Sequence, residues 1–495
     1  MTLDLELCSR ARLARDARFD GKFYIAVLTT RIYCRPICRA RTSQEKNVRY
    51  FPTAAAAAEA GFRPCLRCRP ESSPGTAAWT GTKATVSRAL RLISQTGLEE
   101  GGIEALAAHL GLGSRHLRRL FLRHLGASPR AVAQTRRLHF AKKLIDETAL
   151  TMTQIAVAAG FGSVRRFNAA VHKVYGRTPT ELRLRAPQKR ISASTDNQYF
   201  FQLDYRPPYR WQEILHALGA QATPGVECVD GAAYRRTITA NGVHGHVEVT
   251  PNGGCDALDV RVDIEEPRSL FLIIERIRAI FDLNADWQVI ERTLQGDPAF
   301  AAAVRARPGM RVAGCWSGFE AAVQVILGGP TALDRDLLKA LVLEFGTRVD
   351  FAPGLTHLFP APEALAEEDM RRVGLGSRRS LAVRALARAV RDGHINFEKV
   401  LDPKTVMGAL AEIPGFTPSA LEYVEMRAMR EPDAFPLQSK EVGVALGIDD
   451  PVQIERRINA WRPWRAYAAA YLADLDPNAA RASLSRTRLA SSVLD

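Results

Sequence analysis

One pattern of apolar and polar positions occurs twice in this chain. The stretches "IEALAAHLGLGSRHLRRLFLRHLGASP" (103–129) and "TQIAVAAGFGSVRRFNAAVHKVYGRTP" (153–179) each read as a short Ala-rich helix, a G-x-G-S turn and a basic amphipathic helix ending near G-x-S/T-P. Gly111 and Gly160 suit the tight turn, and Ser114 and Ser163 suit the N-cap of the second helix. The spacing predicts two helix-turn-helix units joined by a helix near 130–146. Leu117, Leu120, Phe121 and Phe167 fall on the apolar face as core. Arg115, His116, Arg118, Arg119, Arg165, Arg166 and Asn168 fall on the polar face. An ordinary helical bundle is the competing reading.

Two polar stretches, "ESSPGTAAWTGT" (71–82) and "APQKRISASTDNQ" (186–198), interrupt the pattern as linkers. At 495 residues the chain predicts two to four domains. With 46% hydrophobic residues it reads as globular, and no apolar run reaches the ~18 residues that a spanning helix needs. The start, "MTLDLELCSR", carries acids where a secretion signal would be basic and then apolar, so no membrane association and a cytoplasmic location are expected.

Charge changes the picture. Residues 1–190 hold 34 Lys and Arg against 13 Asp and Glu, a net of +21, whereas the whole chain is at +15. The first part is expected to meet a polyanion, with double-stranded DNA the leading partner and a merely solvated basic surface the alternative.

Cysteine spacing adds chemistry. Cys34 and Cys38 form C-x3-C, and Cys65 and Cys68 form C-x2-C after a gap of 26 residues. In a reducing compartment two such pairs read as tetrahedral Zn²⁺ ligands before disulfides. Cys8, Cys228, Cys255 and Cys315 lack such spacing and are expected to be small buried hydrophobes. Arginines at 31, 35, 39, 41, 63, 67 and 69 crowd the four ligands, which a purely structural zinc site does not explain.

The stretch 19–71, "FDGKFYIAVLTTRIYCRPICRARTSQEKNVRYFPTAAAAAEAGFRPCLRCRPE", resembles the N-terminal domain of the Ada regulators of the response to DNA alkylation. The resemblance implies that Cys34 irreversibly accepts a methyl group from a DNA methylphosphotriester, with Cys38, Cys65 and Cys68 as its fellow zinc ligands. Thr30, Arg35, Arg41, Arg63 and Arg67 are the candidates to meet the DNA backbone there. Thiolate methylation takes the centre from about −2 to about −1, so repair is expected to switch on DNA binding. The paired helix-turn-helix units resemble the AraC-type DNA-binding domain, which implies recognition helices, beginning at Ser114 and Ser163, in successive major grooves roughly 34 Å apart. Arg115, His116, Arg118, Arg119, Arg165, Arg166 and Asn168 are then the candidate DNA contacts, with about half of the arginines reaching only phosphate or solvent. Alkylated DNA, promoter DNA and, for an activator, RNA polymerase are the implied partners.

From "YFFQLDYRPPYRWQEILHALGAQATPGVE" (199–227) onward the chain resembles the AlkA-type 3-methyladenine DNA glycosylases. A β-rich part should include "AAYRRTITANGVHGHVEVTPNGG" (232–254). A helical part follows "RPGMRVAGCWSGFEAAVQVILGG" (307–329), and "IERRINAWRPWRAYAAAYL" (454–472) fits its end. In that family a helix-hairpin-helix presents backbone N–H groups to a phosphate, and an Asp about 20 residues later supports the sugar cation as the flipped base departs. Here "IPGFTPSALEYVEMRAMREPDAFPLQSKEVG" (413–443) keeps Pro414 and Gly415. Thr417 stands at the second glycine, expected to resist a positive φ, and Ser419 at the usual Trp. An ungapped reading puts Ser439 at the catalytic Asp, and a shifted register puts Glu441 there. The "ILGGPTALDRD" run (326–336) also lacks the family's polar Gln. The half is expected to keep the fold and to have lost base excision.

The expected fold is multidomain and mainly α with α+β parts. It comprises a zinc methyl-acceptor domain (1–80), a double helix-turn-helix bundle (83–185), an AlkA-like β-rich subdomain (196–308) and a helix-hairpin-helix glycosylase-like domain (309–482). The leading reading is an alkylation-repair protein and damage-switched transcription regulator. Its rivals are a purely regulatory DNA-binding protein with a structural zinc, and a fully active glycosylase using Glu441. No P-C-H-R motif of an O6-alkylguanine acceptor occurs.

Overall fold

The computed structural model describes residues 3–74, 85–86, 88–90, 92–93, 102–185, 197–328, 333–398 and 403–472. Most of both expected linkers, and part of the 326–336 run, lie outside the described residues. The chain folds as two compact units, one of residues 1–207 with 238–278, the other of 208–237 with 279–495.

In the first unit four short strands, β1 (Tyr24–Val27), β2 (Ile32–Cys34), β3 (Val48–Phe51) and β4 (Arg63–Pro64), form a sheet in the order β3-β1-β2-β4. Its two faces bury Tyr24, Ala26, Tyr33 and Phe62 on one side and Phe23 and Ile25 on the other, the latter against Cys8 and Ala11 of α1 (Leu5–Ala14). So small a core leaves the module short of apolar area to offset chain entropy.

The helix-turn-helix repeat folds as its periodicity predicts. Its helices are α2 (Gly102–His109) with α3 (Ser114–Leu125), and α5 (Met152–Ala158) with α6 (Val164–Tyr175); α4 (Pro129–Glu147) joins the pairs. Leu117, Phe121 and Phe167 are fully buried and Leu120 nearly so. Both turn glycines take positive φ, +67° at Gly111 and +74° at Gly160, which a side chain would strain. The two starts differ. Ser163 caps α6, accepting from the Arg166 N–H at 3.2 Å. Ser114, expected to cap, lies inside α3, because Gly113 takes the extended cap conformation (φ −74°, ψ 143°) and the helix begins one residue early.

Three further strands of this unit, β5 (Gln198–Asp204), β8 (Val243–Pro251) and β9 (Ala257–Ile264), pair antiparallel, β9 between the other two. In β5 alternate residues Tyr199, Phe201 and Leu203 are buried, the period-2 pattern of a half-covered sheet. Cys255, expected to be buried, is exposed in the β8–β9 connection, where its sulfur accepts from Gln202 Nε2 at 2.6 Å.

The second unit holds the hairpin of β6 (Glu227–Asp230) with β7, which starts at Ala233, and a helical core in which Val323, Leu327, Leu338, Leu341, Leu386 and Val424 are almost completely buried. Helices α7 (Pro418–Ala428) and α8 (Ser439–Leu446) carry the glycosylase-like motifs. Thr417 is not forced to positive φ. It sits at φ −92° and caps α7 by accepting from the Ala420 N–H, while Gly415 takes φ +116°.

Phe121 is fully buried in the first helix-turn-helix core, so Phe121→Ala should destabilise that core by about 3–5 kcal/mol. Chemical denaturation followed by helical circular dichroism should show the midpoint falling while zinc content stays unchanged.

Candidate metal centre

Strand pairing brings the two cysteine pairs together. β2 runs parallel to β4 with Tyr33 opposite Pro64, so the next residues, Cys34 and Cys65, leave the sheet side by side. The Cys65 N–H donates to the Tyr33 carbonyl at 3.0 Å and fixes that register. Tight turns return the second member of each pair, with Cys38 N–H donating to the Arg35 carbonyl and Arg69 N–H to the Cys65 carbonyl. All four sulfurs lie within 4.8 Å of one another and none is in a disulfide.

The spacing suits one tetrahedral zinc, for which sulfurs at about 2.3 Å from the metal stand about 3.8 Å apart. The thiols also press on one another. Hydrogen bonding with Cys34 draws Cys38 down to about 7 and Cys65 far below the ordinary thiol range, and it drives Cys68 up. A divalent cation among them removes that conflict by stabilising all four as thiolates. Cys34 is partly exposed at the end of β2, whereas Cys65 is buried.

Around the centre Thr30, Arg31, Arg39, Arg41, Arg63 and Arg67 are exposed. Arg35 is a correction to the sequence reading. Its guanidinium is 5% exposed and donates to Asp20 at 2.9 and 3.0 Å, to Asp204 at 2.9 Å and to the Cys68 carbonyl at 3.3 Å, so it has no face left for a phosphate. Its backbone N–H meets the Cys68 sulfur at 3.4 Å. Arg35 therefore holds the ligand loops together.

The connecting helix carries charges that sequence reading passed over. Arg69 reaches Glu147 at 2.9 Å and Asp146 at 3.1 Å, while Lys142 and Lys143 pair with the same two acids one turn away. Tyr33, beside Cys34, shares a 3.0 Å hydrogen bond with His139. Burial drives the His139 imidazole down to about 4, so it is neutral at physiological pH. The i,i+4 spacing of "KKLIDE" was the visible signal, but only the fold reveals that these charges are buried.

On the helix-turn-helix units, Arg115, Arg118, Arg119, Arg165, Arg166 and Asn168 are exposed, with Ser163, while Ser114 and His116 are half-buried. Arg118 lies 3.3 Å from Glu104 and Arg119 2.9 Å from His116 Nδ1. These side chains lie on the solvent side of α3 and α6, opposite the buried Leu117, Phe121 and Phe167.

In the second unit the two carboxylate alternatives separate. Ser439 is the first residue of α8, and Glu441 closes a capping box, accepting from the Gln438 N–H at 2.7 Å while the Gln438 side chain accepts from the Glu441 N–H. Exposed and engaged in its own helix start, Glu441 stands as a structural cap.

Three family descriptions match the chain: the metal binding domain of Ada over residues 7–71, a helix-turn-helix domain over 106–185 and the AlkA N-terminal domain over 200–317. A Mycobacterium tuberculosis protein described as a probable bifunctional transcriptional activator/DNA repair enzyme AlkA is 37% identical over 480 residues, covering 95% of this chain and 96% of its own. The Escherichia coli bifunctional transcriptional activator/DNA repair enzyme Ada is 35% identical over 171 residues, 34% of this chain and 47% of its own. DNA-3-methyladenine glycosylase 2 of Escherichia coli is 27% identical over 277 residues, 55% of this chain and 96% of its own.

Cys65→Ser should remove the metal and leave the zinc module unfolded, since its core is too small to stand alone. Atomic absorption on the purified protein should find one zinc per chain in the wild type and close to none in the variant. A cooperative melt of the module retained after complete chelation would contradict this.

Proposed function

Because the chain belongs to the family of bifunctional transcriptional activator/DNA repair enzymes, we propose that Cys34 is the residue through which it takes damage off DNA and becomes an activator. The one Zn²⁺ held by the four cysteines supplies the charge that keeps their sulfurs as thiolates at neutral pH. The sulfur of Cys34 attacks the methyl carbon of a methylphosphotriester. An S–C bond forms, the C–O bond breaks, and the leaving group is an ordinary phosphodiester anion, so no proton moves. The product thioether is stable, and each chain acts once.

The observation that carries this reading is a half-buried Cys34 whose sulfur is one of four that converge, with exposed arginines around it. Thr30, Arg41, Arg63 and Arg67 are exposed there and serve to hold the backbone phosphates against Cys34. Arg115, Arg118, Arg165, Arg166 and Asn168, with the helix starts at Ser114 and Ser163, read the promoter. Loss of one thiolate charge lowers the repulsion between centre and backbone. RNA polymerase is the partner to which the promoter-bound protein would answer. The proposed division of the chain is 1–80, 83–185, 196–308 and 309–482.

For the glycosylase-like half, the reading is a retained fold without base excision. Gly415 can offer its N–H to a phosphate, but Ser439 cannot balance an oxocarbenium charge, and Glu441 is committed to its cap. Excision through Glu441 is the second reading.

Incubating the protein with methylated duplex DNA and mapping modified peptides should place one methyl group on Cys34, and none on Cys34→Ser. Methyl found on another cysteine of that variant would contradict the assignment. In the same reaction no 3-methyladenine should be released, and Glu441→Gln should change nothing. Release that Glu441→Gln abolishes would establish the second reading.

A further inference from the structure

Strand β5 opens the stretch matched to the AlkA N-terminal domain, and its inner face, Tyr199, Phe201 and Leu203, is buried as in any half-covered sheet. Its other face is half-buried and meets the zinc module and the connecting helix through specific contacts. The Asp204 carboxylate accepts from Arg35 at 2.9 Å, the residue that follows Cys34. The Gln202 carbonyl accepts from Lys143 Nζ at 2.5 Å. Arg206, 2% exposed, donates through Nε to the Asp20 carbonyl at 2.7 Å, and Asp20 is the other partner of Arg35. Beyond the strand, Phe271 packs edge-on against Phe140 of α4 at 4.8 Å, and Glu275 lies 3.6 Å from Arg136.

These contacts differ in kind from surface ion pairs. Arg35 and Asp20 have 5% and 4% of their side chains exposed, and Lys143 has 5%. Parting them would leave buried charges without partners or would require moving them into water, so the arrangement is held in one register. Moreover, Arg35 is fastened at once to the ligand loop, through Cys68, and to the strand, through Asp204. Lys143 is fastened at once to Glu147 of α4 and to the strand.

We propose that the glycosylase-like β-subdomain is a docking partner of the zinc module and the connecting helix, and that it clamps the metal centre in fixed register with the recognition helices. This gives that half a task in promoter binding that base excision is not needed for. The inference rests on the domain reading above and is independent of whether Cys34 accepts methyl.

The test uses the full chain with a specific protease site placed within residues 188–194. After cleavage, the two pieces should co-elute in size-exclusion chromatography at low salt, and Asp204→Lys, which sets a cation against Arg35, should separate them. Separation of the cleaved wild-type pieces would overturn the proposal without any variant. Uncut Asp204→Lys should bind promoter DNA about tenfold more weakly while keeping one zinc per chain, since Asp20 still holds Arg35. Asp204→Asn, which preserves side-chain size, should fall between. Promoter affinity unchanged in Asp204→Lys would overturn the clamp.

Discussion

Four sulfurs confined within 4.8 Å cannot all be anions unless a cation lies among them, and much else in the first unit follows from that conflict. The parallel pairing of β2 with β4 exists to bring Cys34 beside Cys65. Arg35 ties the two ligand loops by bonding the Cys68 carbonyl, and its own charge is answered by Asp20 and Asp204. The module has little hydrophobic core of its own, so metal binding is expected to be coupled to its folding. The same conflict supplies the logic of a switch. A centre of four thiolates and one divalent cation carries excess negative charge beside a polyanion, and methylating one sulfur removes about one unit of it.

Much of this was legible in the sequence because it depended on local spacing. The C-x3-C and C-x2-C pairs named the ligands, and the repeated G-x-G-S turns located both helix-turn-helix units and their buried Leu117, Phe121 and Phe167. What failed depended on details that spacing does not encode. Ser114 and Ser163 occupy equivalent positions in the repeat, yet only Ser163 caps, because a backbone change of one residue at Gly113 moves the helix start. Arg35 looked like one more phosphate contact, since nothing near it in sequence announces Asp204, 169 residues away. Thr417 looked strained only by analogy, and in this chain the positive φ falls on Gly415 instead.

The glycosylase-like half has a scaffold whose packing does not depend on its candidate site. Its core buries Val323, Leu338 and Leu386 completely, and Arg236 is buried between Glu227 and Glu320 with its cation over Trp316. Those interactions are independent of whichever residue follows Gln438. A catalytic carboxylate has to stand free toward the sugar, whereas Glu441 is bound to its own helix start. Retention of the scaffold is intelligible if its first strand serves the regulator as a support.

The charge account is tested most directly by titrating one labelled promoter with the unmodified and the Cys34-methylated protein across a series of salt concentrations. Methylation should tighten binding, and the gain should shrink as the Debye length falls from ~10 Å at 0.1 M to ~3 Å at 1 M salt. Equal affinities at low salt, or a gain that salt leaves unchanged, would contradict it.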